Sequence, residues 1–151
     1  MPARRLKDFL DREGVPYKSI VHAPAFTAQE VAQTAHIPGK ELAKTVIVKV
    51  DGKLTMIVLP ASEHVRLEHL RESLGVQKVE LAEEDEFRKA FPDCETGAMP
   101  PFGNLYGMSV FVSPALREDE EIAFNAGTHS ELIRLPYADF ERLVHPAPLM
   151  N

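Results

Sequence analysis

Two apolar, β-branched runs, Ala43 to Val50 and Leu54 to Leu59, flank the dipeptide Asp51-Gly52, and this arrangement constrains the fold more than any other part of the chain. Asp-Gly readily supplies the positive backbone dihedrals of a tight two-residue turn, so the runs are expected to pair as an antiparallel hairpin. Neither arm alternates between apolar and polar residues as a half-wet strand would. The hairpin therefore belongs in the middle of a sheet that is covered on both faces.

The segments around it mix helices and strands without a repeating strand–helix unit. A helix is expected from Pro2 to Glu13, with Leu6, Phe9 and Leu10 on one face and Gly14 as its stop. A strand from Tyr17 to His22 follows, then a helix capped by Thr27 and running to about Ala35. Beyond the hairpin come a helix from Arg66 to Leu74 ended by Gly75, a strand at Gln77 to Glu80, and a short helix from Glu83 to Ala90. Phe91 to Gly107 holds three of the twelve prolines and three glycines, too many breakers for a regular element, and reads as a shaped loop. Strands at Ser109 to Val112, Glu121 to Phe124 and Glu131 to Leu135 precede a closing helix from Tyr137 to Val144. This order favours a single α+β domain over residues 1–151 rather than a doubly wound sheet.

Composition removes several classes of function. No stretch nears the ~20 apolar residues needed to span a bilayer and the N-terminus lacks a signal-like apolar run, so a cytoplasmic protein without a membrane partner is expected. The formal net charge of −6 argues against broad phosphate neutralisation, and hence against DNA, while leaving room for capture of a single-stranded RNA end. Cys94 has no partner for a disulfide or a metal cluster, and His64 and His69 are five apart, off the spacing that puts two ligands on one helical face. No dinucleotide, P-loop, zinc-protease or nucleophile-elbow motif is present, and no metal or organic cofactor is expected.

Three features break local expectation. Lys44 stands at the head of the apolar run Val46-Ile47-Val48, where a lysine is either a strand-end cation in water or a functional group held partly out of it. Gly97-Ala98-Met99-Pro100-Pro101-Phe102-Gly103 combines fixed backbone with glycines that permit close approach, as an ordinary turn or as a binding loop. Asn125-Ala126-Gly127-Thr128-His129 is a polar turn between two expected strands.

Together these segments resemble the YbaK and prolyl-tRNA-synthetase-associated editing family over nearly the whole chain. Glu41-Leu42-Ala43-Lys44-Thr45-Val46-Ile47-Val48-Lys49 is similar to the family's lysine-bearing strand, Gly97 to Pro101 matches its GxxxP loop, and the Asn125 turn with Leu132-Ile133-Arg134-Leu135 resembles its closing strands. The resemblance implies a mixed, bifurcated, barrel-like sheet wrapped by helices, and a trans-editing deacylase that hydrolyses the ester of mischarged tRNA, tRNA-Pro or a related tRNA. The alternative is a non-catalytic module of the same fold that binds a small ligand, a tRNA end or a synthetase. On the first reading Lys44 and Gly97 are catalytic, Gly97 and its neighbours offering amides to the ester carbonyl while Lys44 holds the terminal phosphate or ribose. Tyr17, His22, Phe26, Thr27, Thr45, Ala98, Met99, Pro100, Pro101, Phe102, Gly103, Asn125, Gly127, Thr128 and His129 are the expected substrate contacts. The partners implied are the acceptor 3′ end of aminoacyl-tRNA and an aminoacyl-tRNA synthetase.

Overall fold

A computed structural model describes residues 4–149. The hairpin forms as expected: β2 (Leu42–Val50) and β3 (Lys53–Pro60) pair in register from Ala43↔Pro60 to Val50↔Lys53. Asp51 and Gly52 both take positive φ, 48° and 85°, as a turn matched to strand twist requires. Asp51 has a second task that the turn rule does not foresee. Its carboxylate accepts the amide hydrogens of Gln77 and Lys78, at 3.1 and 2.8 Å, and so ties the hairpin tip to the segment that enters β4 (Val79–Leu81).

The remaining elements are α1 (Arg4–Arg12), β1 (Lys18–Val21), α2 (Ala28–Thr34), α3 (Leu67–Leu74), α4 (Glu84–Phe87), β5 (Val110–Val112), β6 (Glu121–Asn125), β7 (Glu131–Pro136), α5 (Tyr137–Val144) and β8 (Ala147–Pro148). The start expected for the first helix, Pro2, lies outside the described residues. The helix expected from Glu83 to Ala90 is one α turn continued by a 3-10 turn, closed at its start by a reciprocal capping box between Glu83 and Glu86. A 3-10 turn at Pro114–Glu118 and the short β8 carry too few residues for a periodicity to show, and pattern reading passes over both.

Among the described residues the sheet runs in the order β1-β7-β6-β2-β3-β5-β8, with β4 pairing β2 off this path. It is mixed and forked, as the family resemblance implies. It does not close into a barrel, since β1 and β8 end the order unpaired with each other. The fork is on β2. One edge of that strand pairs with β3 throughout, while the other is shared by parallel β6 at Leu42 and Ala43 and antiparallel β4 at Val48 to Val50. Lys49 fastens the second branch, its ammonium lying 3.2 Å from Glu80 and 2.6 Å from Glu86.

Burial divides by face. Ala43 and Ile47 of β2 join Met56 and Val58 in the main core, which is covered by Leu6 and Leu10 of α1, by Phe140 and Val144 of α5, and by Phe91, Met99 and Phe102 of the long loop. On the opposite face Leu42 packs under Val31 and Ala32 of α2, whereas Val46 and Val48 pack with Leu70 of α3. Because side chains alternate along a strand, Lys44 belongs to this second face. It falls in the seam between the two helical covers.

Gly103 anchors the long loop to the main core. A Cβ there would meet Val110 Cγ2 at 2.5 Å and the Met108 carbonyl oxygen at 2.9 Å, and the second contact is backbone with little room to yield. Gly103→Ala is therefore expected to destabilise the fold by about 1–3 kcal/mol, the usual cost of overpacking a dense interior, read as a lower urea midpoint at unchanged slope.

Candidate active site

Lys44 owes its setting to the fork. Residues 44–47 have no ladder partner on the shared edge of β2, the amide of Ala82 reaching only the Ile47 carbonyl, at 3.0 Å. The Lys44 side chain is half-buried and donates one long hydrogen bond, 3.5 Å, to the Ala61 carbonyl oxygen. Burial lowers its pKa from the ordinary 10.5, and the nearby Glu63 carboxylate partly opposes the shift. The lysine is thus a weakly satisfied cation at the edge of an apolar face.

On the β6 side, the register Leu42↔Ala123 and Ala43↔Phe124 brings Asn125 next to Lys44, one residue beyond the last paired positions. The turn after Asn125 is laced to the long loop: Glu95 N–H donates to the Gly127 carbonyl at 2.7 Å and Gly127 N–H donates to the Ala98 carbonyl at 2.9 Å. Gly127 is buried with φ of 95°, a conformation suited to glycine. His129 closes the arrangement. Its amide donates to a Glu95 carboxylate oxygen at 2.7 Å, and its Nε2 lies 2.9 Å from the Thr96 carbonyl oxygen.

Since a carbonyl only accepts, that bond puts a hydrogen on Nε2, and in the neutral imidazole Nδ1 is then a bare acceptor. Nδ1 is buried without a partner. His22 repeats the logic with its nitrogens exchanged: Nδ1 lies 2.8 Å from the Ala23 carbonyl oxygen, and Nε2 is buried and unpartnered. Asn125 Oδ1 and Thr45 Oγ1 are in the same condition. Native interiors leave few polar atoms unpaired, and four of the six such side-chain atoms among the described residues belong to expected site residues.

His22 and Phe26 reach His129 through the backbone and the rings. His22 N–H donates to the Ser130 carbonyl, Ala25 N–H donates to the His129 carbonyl, and the Phe26 ring lies 4.8 Å from the His129 ring. Phe26 is nonetheless 69% exposed, with its outer face free to stack. Gly97 also sits against His129, where a Cβ would come 3.4 Å from Cε1, and its φ of 89° favours glycine independently.

Other expected contacts have structural employment. Ala98 to Gly103 are buried, and Met99 and Phe102 are members of the main core, so this run shapes the loop from beneath. The Ala98 amide is spent on the Glu95 carbonyl, at 3.0 Å, whereas Gly97 is exposed at the loop surface. The Gly97 amide rests 3.2 Å from Met99 Sδ, a weak acceptor. Thr27 caps α2 by accepting the Glu30 amide at 3.1 Å, Thr128 accepts the Ser130 amide, and alternation turns Thr45 toward the main core, away from the Lys44 face. Tyr17 packs against the main core in reach of Asp11 and Lys7 of α1, and its hydroxyl pKa is raised chiefly by burial. Sequence reasoning missed Glu95 and Glu63. Each is one acidic residue in an acidic chain, and only contacts across 34 and 50 residues single them out.

Among the described residues no three of His, Cys, Asp and Glu are grouped to hold a metal ion. Burial pushes the Cys94 thiol up to about 11, so it is a poor nucleophile at neutral pH. The site's resources are one cation, several bare acceptors and a glycine amide at a loop tip. Such a set can orient a bound substrate and stabilise charge that develops on it.

Comparison with known proteins agrees. A model of the aminoacyl-tRNA editing domain matches residues 22–143, and the chain belongs to that family. It is an aminoacyl-tRNA deacylase, a hydrolase of mischarged tRNA. Over 148 residues it is 28% identical to the multifunctional Ser/Thr-tRNA deacylase ProXp-y of Escherichia coli K12, covering 95% of this chain and 88% of that protein. Among solved structures it resembles a hypothetical protein, APE2540, with TM-score 0.83 and 18% identity, covering 95% and 96% of the two chains. It also resembles a putative trans-editing enzyme for prolyl-tRNA synthetase, with TM-score 0.81 and 20% identity, covering 97% of this chain and 94% of that one. Among the described residues no helix is long and apolar enough to cross a membrane.

The lowered pKa of Lys44 has a consequence for stability. The native state holds this proton less tightly than the unfolded chain, so the charged lysine costs stability at neutral pH, and the cost is relieved as pH rises from the folded value toward 10.5. Lys44→Met is therefore expected to keep or raise the melting temperature at pH 7. A fall of more than about 4 °C in a thermal melt, roughly 1 kcal/mol for a domain this size, would contradict the assignment.

Proposed function

We propose that the chain works in trans as a cytoplasmic editing enzyme, taking the aminoacylated 3′ end of a free mischarged tRNA onto the seam at Lys44. The observation that carries this reading is a half-buried cation, Lys44, with the unpartnered Asn125 Oδ1 in register beside it and two further unpartnered acceptors, His129 Nδ1 on the turn after Asn125 and His22 Nε2 on the segment hydrogen-bonded to that turn. An aminoacyl ester has the complementary chemistry. Its α-ammonium donates up to three hydrogen bonds to such acceptors, while its terminal ribose and phosphate offer oxygen to the lysine. The exposed face of Phe26 suits stacking of the terminal adenine.

The ester is intrinsically labile, so positioning and charge stabilisation carry most of the catalysis. Water adds to the ester carbonyl carbon and gives a tetrahedral oxyanion. Collapse breaks the bond to the ribose oxygen, which takes up a proton and releases free amino acid and tRNA. The Gly97 amide exchanges its weak bond to Met99 sulfur for a strong one to the oxyanion, a gain realised only as charge develops. The free hydroxyl of the terminal ribose relays the proton from the attacking water, and this spares the protein a Ser–His–Asp set. Alanine, cysteine, serine and threonine esters are all candidate substrates, tRNA-Pro is a candidate carrier, and a synthetase partner would deliver the charged tRNA to this acidic protein.

A deacylation screen over mischarged tRNAs tests the reading. Lys44→Ala is expected to lower kcat/KM by about a hundredfold on every substrate the native protein cleaves, the scale of losing one group that stabilises developing charge. Gly97→Ala is expected to lower kcat more than it raises KM, because it disturbs the oxyanion amide and crowds His129. Full activity in Lys44→Ala, or tRNA binding without turnover in the native protein, would overturn the proposal.

A further inference from the structure

The face that carries Lys44 holds a second concavity, which the deacylation steps above leave unused. It is a cavity of about 300 Å³, floored by Ile57, Leu59, Leu70 and Leu149, with Glu63 and Arg66 at its rim. The volume is at the lower end of the range for small-molecule sites. Its place relative to Lys44 is fixed by the hairpin register. Leu59 is the cross-strand partner of Lys44 and Ile57 that of Val46, so the floor begins one strand spacing, ~4.8 Å, from the lysine. It lies on the β3 side, whereas Asn125 and the Gly127 turn lie on the β6 side.

The rim chemistry is specific. Arg66 is exposed, its backbone carbonyl accepts the Leu70 amide at the start of α3, and its guanidinium is in none of the ion pairs or side-chain hydrogen bonds among the described residues, so it is available to an anion. Glu63 is held at one oxygen by the Ser113 hydroxyl, at 2.8 Å, and its carboxylate retains capacity to accept from a ligand. An apolar floor bordered by the Arg66 guanidinium, the fixed Glu63 carboxylate and the polar side chains of His64, His69 and Ser113 matches a nucleotide whose base carries an amino group. An apolar amino-acid side chain requires neither charge. Transfer RNAs end in C-C-A, and cytosine offers its exocyclic amine to a carboxylate acceptor.

We propose that this cavity receives the penultimate cytidine of the tRNA 3′ end, with its base on the Ile57–Leu59 floor, its amine donating to Glu63 and its phosphate facing Arg66. The inference rests on the deacylase reading and adds to it a direction for the bound strand. The ester lies toward β6, the terminal ribose and phosphate lie at Lys44, and the preceding nucleotide lies across β3.

The test compares 3′-aminoacyl esters of adenosine 5′-monophosphate (the adenosine ester), 5′-phosphocytidylyl-adenosine (the cytidylyl ester) and 5′-phosphouridylyl-adenosine (the uridylyl ester), each carrying the amino acid that the tRNA screen identifies. The phosphate at Lys44 is then common to all three, and the phosphate at Arg66 is present in both dinucleotides. The cytidylyl ester is expected to exceed the adenosine ester in kcat/KM by about tenfold, mainly through KM, the scale of one stacked and hydrogen-bonded base. The uridylyl ester, whose base presents a carbonyl in place of the amine, should recover only part of that gain. Arg66→Ala removes a side chain that makes no cap bond to α3 and should leave folding intact. Val65→Trp narrows the cavity. Both are expected to lower the cytidylyl rate toward the adenosine rate and to leave the adenosine ester unaffected. Equal rates for all three esters would overturn the subsite. So would a Val65→Trp enzyme equally impaired on the adenosine ester, which would assign the cavity to the amino-acid side chain. Failure to cleave any ester or any intact aminoacyl-tRNA would overturn the deacylase reading, and the subsite with it.

Discussion

A strand edge can serve two partners only if they diverge, and divergence leaves a stretch of edge that neither reaches. On β2 that stretch is residues 44–47, between the two-residue ladder to β6 and the three-residue ladder to β4. Backbone polar groups left unpaired in an interior are costly, so such a gap survives only where its surroundings over-determine it. Here the full-length pairing with β3 holds the strand straight from Ala43 to Val50. The Asp51 turn and the Lys49 ion pairs hold one branch, and Ala43 and Leu42 are sealed into two different cores on the other. Lys44 lies at the opening because the fork lies there.

The same geometry accounts for the electrostatic character of the site. Two separate helical covers shelter the second face, one at Leu42 and one at Val46 and Val48, and the side chain between them is neither fully wet nor fully enclosed. A lysine in that position is partly desolvated and keeps one weak acceptor, a state that favours binding an anionic oxygen over remaining alone. The histidines are tuned by similar means. Each has one ring nitrogen committed to a backbone carbonyl, which fixes the tautomer and leaves the other nitrogen a lone pair turned away from water. Stability is given up at these points, and the proposed function draws on the same residues.

Much of this was legible in the amino-acid sequence, for identifiable reasons. The hairpin, its turn and the helices flanked by glycine stops are local devices, and their signals sit within a few residues of where they act. The forked sheet was legible only by family resemblance, because pairing of β2 with β6 joins residues some 80 positions apart and leaves no periodic trace. Lys44 was conspicuous as a cation at the head of an apolar run. The loop from Gly97 to Gly103 was located correctly, yet its residues divide: Gly97 reaches the surface while Met99 and Phe102 hold the core. Composition could not separate them, since a buried anchor and a substrate contact draw on the same side chains. Thr27 and Thr45 show the same limit, one spent on a helix cap and the other turned to the opposite face.

The formal charge of −6 sets a condition on how such a protein meets RNA. Broad counterion release requires clustered Lys and Arg, and an acidic surface offers little of that attraction. What remains is recognition at the single-stranded end, where a few local groups and unstacked bases suffice. The architecture supplies such groups in a half-buried cation, several unpartnered acceptors and an exposed aromatic ring. On the proposed function, discrimination then falls at the ester and its nearest nucleotides rather than along the body of the tRNA.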